Sequence, residues 1–175
     1  MTLPLRTRLT VVYATVFGVL LAALSAVSYR ILAQQLDADL TANLTELTDG
    51  LHGYLRFDDG KARVEFDPDD ADQAAFVQAA TRYYQVYDAN TGKLLLQSDA
   101  LEPIGLEFTP GEVQTFREQP RVRDIRTDYG RIRLFNSVIT PDPGRAYLLQ
   151  VGASLDPMDA ALGRLFWLLT VLDVL

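Results

Sequence analysis

LTVVYATVFGVLLAALSAVSY, residues 9–29, runs for 21 residues without a charge, with Arg6 and Arg8 before it and Arg30 after it. As a helix it measures roughly 31 Å, close to the ~30 Å hydrocarbon core of a bilayer. The stretch is therefore read as a transmembrane helix over 9–30, preceded by a short N-terminus over 1–8. The alternative is a secretory signal, with Ala23-Leu24-Ser25 as the cleavage site. An apolar run longer than the usual 7–15 residues of a signal core favours an uncleaved anchor. Arg6 and Arg8 place the N-terminus in the cytoplasm by the positive-inside rule, and Arg30 on the far side weakens that bias. The chain beyond Arg30 is then expected to be exported across the membrane.

Within this span Ala14, Gly18, Ala22 and Ala26 recur every four residues. Such a stripe lets helix backbones approach closely in lipid, where packing drives association, although Ala and Gly are also common there by chance. The helical pattern does not stop at the span. Leu32, Leu36, Leu40, Leu44, Leu47, Leu51 and Tyr54 or Leu55 follow at spacings of three and four, with Asp, Thr, Asn and Glu between them. This predicts an amphipathic juxtamembrane helix over 31–56. Its apolar stripe fits two roles, the seam of a two-stranded coiled coil or a face covering a sheet in its own domain.

Residues 57–72, FDDGKARVEFDPDDAD, read as an acidic, turn-rich loop. Asp67, Asp69, Asp70 and Asp72 raise a calcium reading that fails on spacing. Counted from Asp67, the positions where an EF-hand loop needs Gly and Glu hold Asp72 and Gln78. A helix is expected over about 72–82, with acidic side chains suited to its start. Residues 83–87 alternate, Asp88-Ala89-Asn90-Thr91-Gly92 turns, and 93–98 returns, which makes a hairpin. Thr109-Pro110-Gly111-Glu112 is a capping box opening a helix to about Glu118. A second hairpin is expected from 122–127 and 131–140, and Pro141-Asp142-Pro143-Gly144 turns the chain into a strand over 145–152. The fold class is α+β: an antiparallel sheet of about five strands with flanking helices, over a domain spanning 57–153.

An exit helix is expected over 154–164, with Pro157 in its first turn. Residues 165–175 read as a partial second transmembrane helix, with Trp167 as an interfacial anchor. Those 11 residues give about 16 Å of helix, short of a bilayer. Asp173 would sit within that span, where an acid costs ~2.5–3.5 kcal/mol on insertion scales. A span begun and not completed is expected of a truncated fragment.

Composition narrows the chemistry. Residues 34–162 hold 22 Asp or Glu against 12 Lys or Arg, a net charge of −10. Such a domain repels nucleic-acid phosphates and bare anionic lipid, so no nucleic acid is expected as a partner. With no cysteine and one histidine, His52, there is little from which to build a nucleophile–base pair or a thiolate metal site. No catalytic residue, metal ligand or cofactor is expected. The most unusual cluster is basic: Arg121, Arg123, Arg126, Arg131 and Arg133 lie in or beside one hairpin of an acidic domain. They could receive a carboxylate or phosphate ligand by bidentate contacts. The competing reading is cross-strand pairing with Asp124 and Asp128.

This layout resembles the input half of a bacterial two-component sensor histidine kinase, of the heavy-metal or envelope-sensing type with a PAS-like or Cache-like periplasmic domain. Leu5-Arg6-Thr7-Arg8-Leu9-Thr10 is similar to the start of such kinases. Tyr84-Gln85-Val86-Tyr87-Asp88-Ala89-Asn90-Thr91-Gly92-Lys93-Leu94-Leu95 resembles their central hairpin, and Val151-Gly152-Ala153-Ser154-Leu155-Asp156-Pro157-Met158 their passage from sheet to second membrane helix. The resemblance implies a signal-sensing module that works as a homodimer, takes a periplasmic ligand, and reaches a cytoplasmic response regulator only through a kinase domain. The HAMP linker, the phosphoacceptor helix and the ATP-binding Asn and Gly boxes of the family have no counterpart here. His52 lies in LHGYLR, with nothing of the phosphoacceptor motif around it. The chain itself is thus expected to be no enzyme. Metal specificity does not carry over, since Met1, Met158 and His52 are the only soft or imidazole donors. Three other readings remain: a stand-alone anchored binding or scaffold module, the input domain of a chemoreceptor or cyclase, and a secreted enzyme released from its leader.

Overall fold

The computed structural model describes residues 5–58, 60–118 and 122–174. Asp39–Asp156 forms one compact unit, and the helical segments up to Ala38 and from Pro157 form the other. The first helix, α1 (Leu5–His52), is unbroken for 48 residues, roughly 70 Å. Leu9, Val16, Phe17, Leu20 and Leu24 on its first half are all exposed. Among the described residues it is the one helix long and apolar enough to cross a bilayer. The last helix, α4 (Asp156–Val174), exposes Phe166, Trp167, Leu168 and Val171. It is continuous through the position where an exit helix was expected to give way to a second span. The side chain of Asp173 lies outside the described residues.

The helix α1 stops at His52, four residues before the expected end at 56. Gly53 and Tyr54 close its last turn by donating to the carbonyls of Gly50 and Leu51 at 3.1 and 3.0 Å. The chain then enters β1 (Leu55–Asp58), which pairs antiparallel with β2 (Lys61–Val64), Leu55 opposite Val64. Gly60 makes the turn at φ +77°. The segment expected to be loop is therefore a separate two-stranded hairpin, and Leu55 serves the core from a strand rather than from the helix.

The aspartates beyond it shape the chain. The Asp70 carboxylate caps α2 (Ala71–Ala80), accepting from the backbone N–H of Asp72 at 3.0 Å and of Gln73 at 3.1 Å. Those bonds, the Gln73 amide first, lower the Asp70 pKa. Asp67 likewise accepts from the N–H of Asp69. These are turn and cap roles typical of Asp before a helix.

Five strands make the main sheet: β3 (Tyr84–Asp88), β4 (Leu94–Gln97), β5 (Val122–Thr127), β6 (Gly130–Asp142) and β7 (Arg145–Ser154). All neighbours are antiparallel, in the order β4-β3-β7-β6-β5. The β3–β4 turn needs Gly92. Its φ is +73°, and a Cβ there would lie 2.5 Å from the Cα of Pro110, so both backbone conformation and space exclude a side chain. Pro110 opens α3 (Pro110–Glu118) through the expected capping box. The N–H of Thr109 donates to the Glu112 carboxylate at 3.0 Å, and the N–H of Glu112 donates to the Thr109 hydroxyl at 3.4 Å.

Alternation puts the two faces of this sheet in different surroundings. On one face Tyr84, Val86, Leu149 and Val151 pack with Leu44 and Leu51 of α1 and Ala80 of α2. Leu44 and Leu51 are fully buried, with Leu40 and Leu47 packed against the same cluster. Over this length the leucine stripe covers the sheet and is not free to form a coiled-coil seam. Gly50 lets the contact close in: a Cβ there would lie 2.3 Å from the ring of Phe76. On the other face Tyr87 and Leu148 pack with Val113 and Phe116 of α3, while Ile132 and Leu134 pack with Leu101.

Candidate functional site

Between the two apolar clusters of that second face lies a row of amides. Register places Asn136 of β6 opposite Gln150 of β7, Gln150 opposite Gln85 of β3, and Gln85 opposite Gln97 of β4. Directly opposed residues point to the same face, so four amide side chains cross four strands in line. Leu134 lies on one side of the row, and Leu148 with Tyr87 on the other. Three of the four are almost completely buried: Gln85 0%, Gln150 1% and Asn136 2% exposed.

The β3 end of the row is bonded into the chain. Gln85 Nε2 donates to the carbonyl of Leu106 and faces Gln97 Oε1 at 3.5 Å. The Tyr87 hydroxyl donates to Gln85 Oε1 at 3.3 Å and accepts from the N–H of Phe108 at 3.3 Å. Burial pushes the Tyr87 pKa up to about 12, against the lowering effect of the Phe108 bond, so the hydroxyl keeps its proton and stays a donor. The other end differs. Both amide atoms of Gln150 and Oδ1 of Asn136 are buried without a hydrogen-bond partner among the described residues. An unmade bond of this kind costs about 1–3 kcal/mol per group. One donor and two acceptors are thus buried on this face of the sheet, between its two apolar clusters, and among the described residues no buried charge accompanies them there. The unpartnered groups are neutral and of both kinds, donor and acceptor. They offer no nucleophile or general base.

The arginines expected to share a ligand are divided by the pleat. Asp124 pairs across strands with Arg133, and Arg126 with Arg131, which puts these four on the α1 face. Arg123 pairs with Leu134 on the opposite face, its guanidinium 5.5 Å from the Phe116 ring centre. Arg133 is buried and holds Asp124 by two bonds, Nε–Oδ1 at 2.7 Å and Nη2–Oδ2 at 2.9 Å. Its Nη1 also donates to the Thr41 hydroxyl of α1 at 3.3 Å. Arg131 approaches the same carboxylate at 3.7 Å. The Arg133 hydrogen bond is the main reason that the Asp124 pKa is lowered. Arg133 is therefore committed to an ion pair that joins β5, β6 and α1. Arg121 lies outside the described residues.

Of the small-residue stripe, Ala22 and Ala26 line a groove between α1 and α4 with Tyr29, Phe166 and Leu169. Ala14 and Gly18 are exposed, and nothing lies within 4 Å of a Cβ built on Gly18. His52 is half-buried, with Nε2 unpartnered among the described residues. Burial lowers its pKa, and the charge of Asp49 partly opposes this. No group of three or more His, Asp or Glu comes together as a metal site among the described residues.

Sequence reasoning did not find the amide row. Its members lie on four strands, and only the register aligns them; the one available signal was a polar residue at an inward position of each strand. Comparison with protein-family models, with curated proteins and with solved structures finds no match. The functional reading accordingly rests on the residues themselves.

Proposed function

We propose that this chain is the extracytoplasmic, PAS- or Cache-like sensing module of a membrane-bound two-component histidine kinase, anchored by the first half of α1. The observation that carries the reading is the double role of α1. Its first half is an uncovered apolar helix of membrane length, while Leu44, Thr48 and Leu51 near its end are fully buried in the sheet unit. The apolar α4 follows directly on β7, so both chain ends of the sheet unit lead into helices.

In this reading the amide row receives a small ligand, and its occupation changes how the sheet packs on α1. The change passes through Leu44 and through the Arg133–Thr41 contact into the helix. Such a signal requires the ligand to favour one packing over the other.

A chimera tests this: residues 1–175 joined to the HAMP and kinase segments of a two-component sensor. Kinase output, read as phosphate on the response regulator, is expected to change when Asp124→Asn loosens the contact between sheet and helix. Output that is indifferent both to Asp124→Asn and to deletion of residues 55–154 contradicts the proposal.

A further inference from the structure

The groove between α1 and α4 is built differently at its two ends. Its inner part is walled by Ala22, Ala26 and Leu169. Thr170 adds no free donor there, because its hydroxyl donates to the Phe166 carbonyl of its own helix at 2.8 Å, and Ser25 also has a partner. Tyr29 and Arg30 stand at the other end. Arg30 is exposed, and no carboxylate pairs with it among the described residues. It is the first charge after the uncharged run over 9–29, where an apolar span meets the membrane boundary. From Arg30 to Ala22 the groove follows α1 for about 12 Å, less than half of the ~30 Å hydrocarbon core, so it lies within one leaflet. Its volume of about 470 Å³ makes it, over that length, a channel roughly 6–7 Å across. A helix with its side chains is about 10–12 Å across and cannot enter it.

We infer that this groove holds one phospholipid with a zwitterionic headgroup, an acyl chain lying along Ala22 and Ala26 and the phosphate at Arg30. A flexible alkyl chain fits a narrow apolar channel that no helix can fill, and it packs on the wall without needing a hydrogen bond from it. At the open end the guanidinium offers the phosphate paired donors, and the Tyr29 hydroxyl beside it is a further donor. Charge decides the headgroup. Asp37 and Asp39 follow Arg30 within about 14 Å along α1, and residues 34–162 carry −10. An anionic headgroup would gain Arg30 and be repelled by that segment. A zwitterionic one gives its phosphate to Arg30, turns its ammonium toward the acidic side, and is neutral overall. The inference goes beyond the sensing proposal and rests only on its membrane-spanning α1.

The test is native mass spectrometry of the full chain, released from detergent micelles that contain phosphatidylethanolamine, phosphatidylglycerol or diacylglycerol of one acyl composition. One phosphatidylethanolamine per chain is expected to bind, at least ~10-fold more tightly than either of the other two. Ala26→Phe fills the groove and should abolish that adduct. Leu24→Phe, at a position 64% exposed on the same helix and outside the groove, should keep it. Arg30→Gln should bring phosphatidylethanolamine down to the level of diacylglycerol. Absence of any adduct overturns the inference, as does equal or tighter binding of phosphatidylglycerol, or an adduct unchanged in both Ala26→Phe and Arg30→Gln. Dimers that carry no lipid and are lost in Ala26→Phe would also overturn it, by assigning the groove to a second copy. Adducts form in micelles whatever the topology in a cell. A specific adduct in a chain whose N-terminus and sheet unit lie on one side of the membrane would contradict the spanning proposal and leave the groove assignment standing.

Discussion

Leu44→Ala lowers the stability of the sheet unit by roughly 2–5 kcal/mol, the range for truncating a buried leucine. Leu44 is fully buried against Val86, Leu149 and Val151, with the equally buried Thr48 one turn on. Truncation removes apolar contact and leaves a cavity that α1, pinned on both sides of this point, closes poorly. The same change at Leu20, which is 63% exposed on the same helix, is expected within about 0.5 kcal/mol of the parent. Hydrogen exchange at the β7 amides measures both variants. Equal effects at the two positions would mean that α1 is not part of the core of the sheet unit.

The second large effect belongs to Asp124. Asp124→Ala removes both bonds that the buried Arg133 guanidinium makes to this carboxylate. The expected loss is about 3 kcal/mol, the lower end of the range for breaking a buried pair. The lower end applies because the Asp124 side chain is 34% exposed and water softens the loss. Asp124→Leu combined with Arg133→Met should recover most of it, since the double change also removes the buried guanidinium and its desolvation cost. The pH dependence has a definite sign. The folded pKa of Asp124 is depressed, mainly by the Arg133 bond. Its contribution is therefore complete above the unfolded pKa of about 3.9 and is lost as pH falls through the folded value. The gap in stability between the parent chain and Asp124→Ala should be constant from neutral pH to about 5 and shrink below about 4. A gap that stays constant to pH 2 would show that the carboxylate is not what Arg133 requires.

Much of this architecture is written in local patterns. The uncharged run, the 3-4 leucine spacing, the Thr109–Glu112 box and the glycine turns each act through neighbours within a few residues, so they survive the loss of tertiary information. What was not legible depends on distant partners. The leucine stripe suits a sheet or a second helix equally, and only the strands that pack on it decide between them. The β1–β2 hairpin did carry a period-2 signal, with Leu55, Phe57, Ala62 and Val64 inward. Four-residue strands with Arg, Asp and Lys between those positions hid it behind the charge of the segment. The arginines show the opposite error. Their closeness in sequence suggested one site, whereas strand alternation assigns Arg123 to one face and Arg126, Arg131 and Arg133 to the other. The same alternation, followed across four strands rather than along one, is what assembles Gln97, Gln85, Gln150 and Asn136.

The central claim is that α1 crosses a membrane with its N-terminus inside and the sheet unit outside. The chain contains no cysteine, so a single introduced thiol reports its own location. Tyr129, 68% exposed at the tip of the β5–β6 hairpin, and Thr7, exposed near the start of α1, are the two positions to compare. In intact bacterial spheroplasts treated with a membrane-impermeant maleimide, Tyr129→Cys should be labelled at once, and Thr7→Cys only after the membrane is permeabilised. Labelling of Thr7→Cys with protection of Tyr129→Cys, or equal labelling of both in intact spheroplasts, would contradict the account.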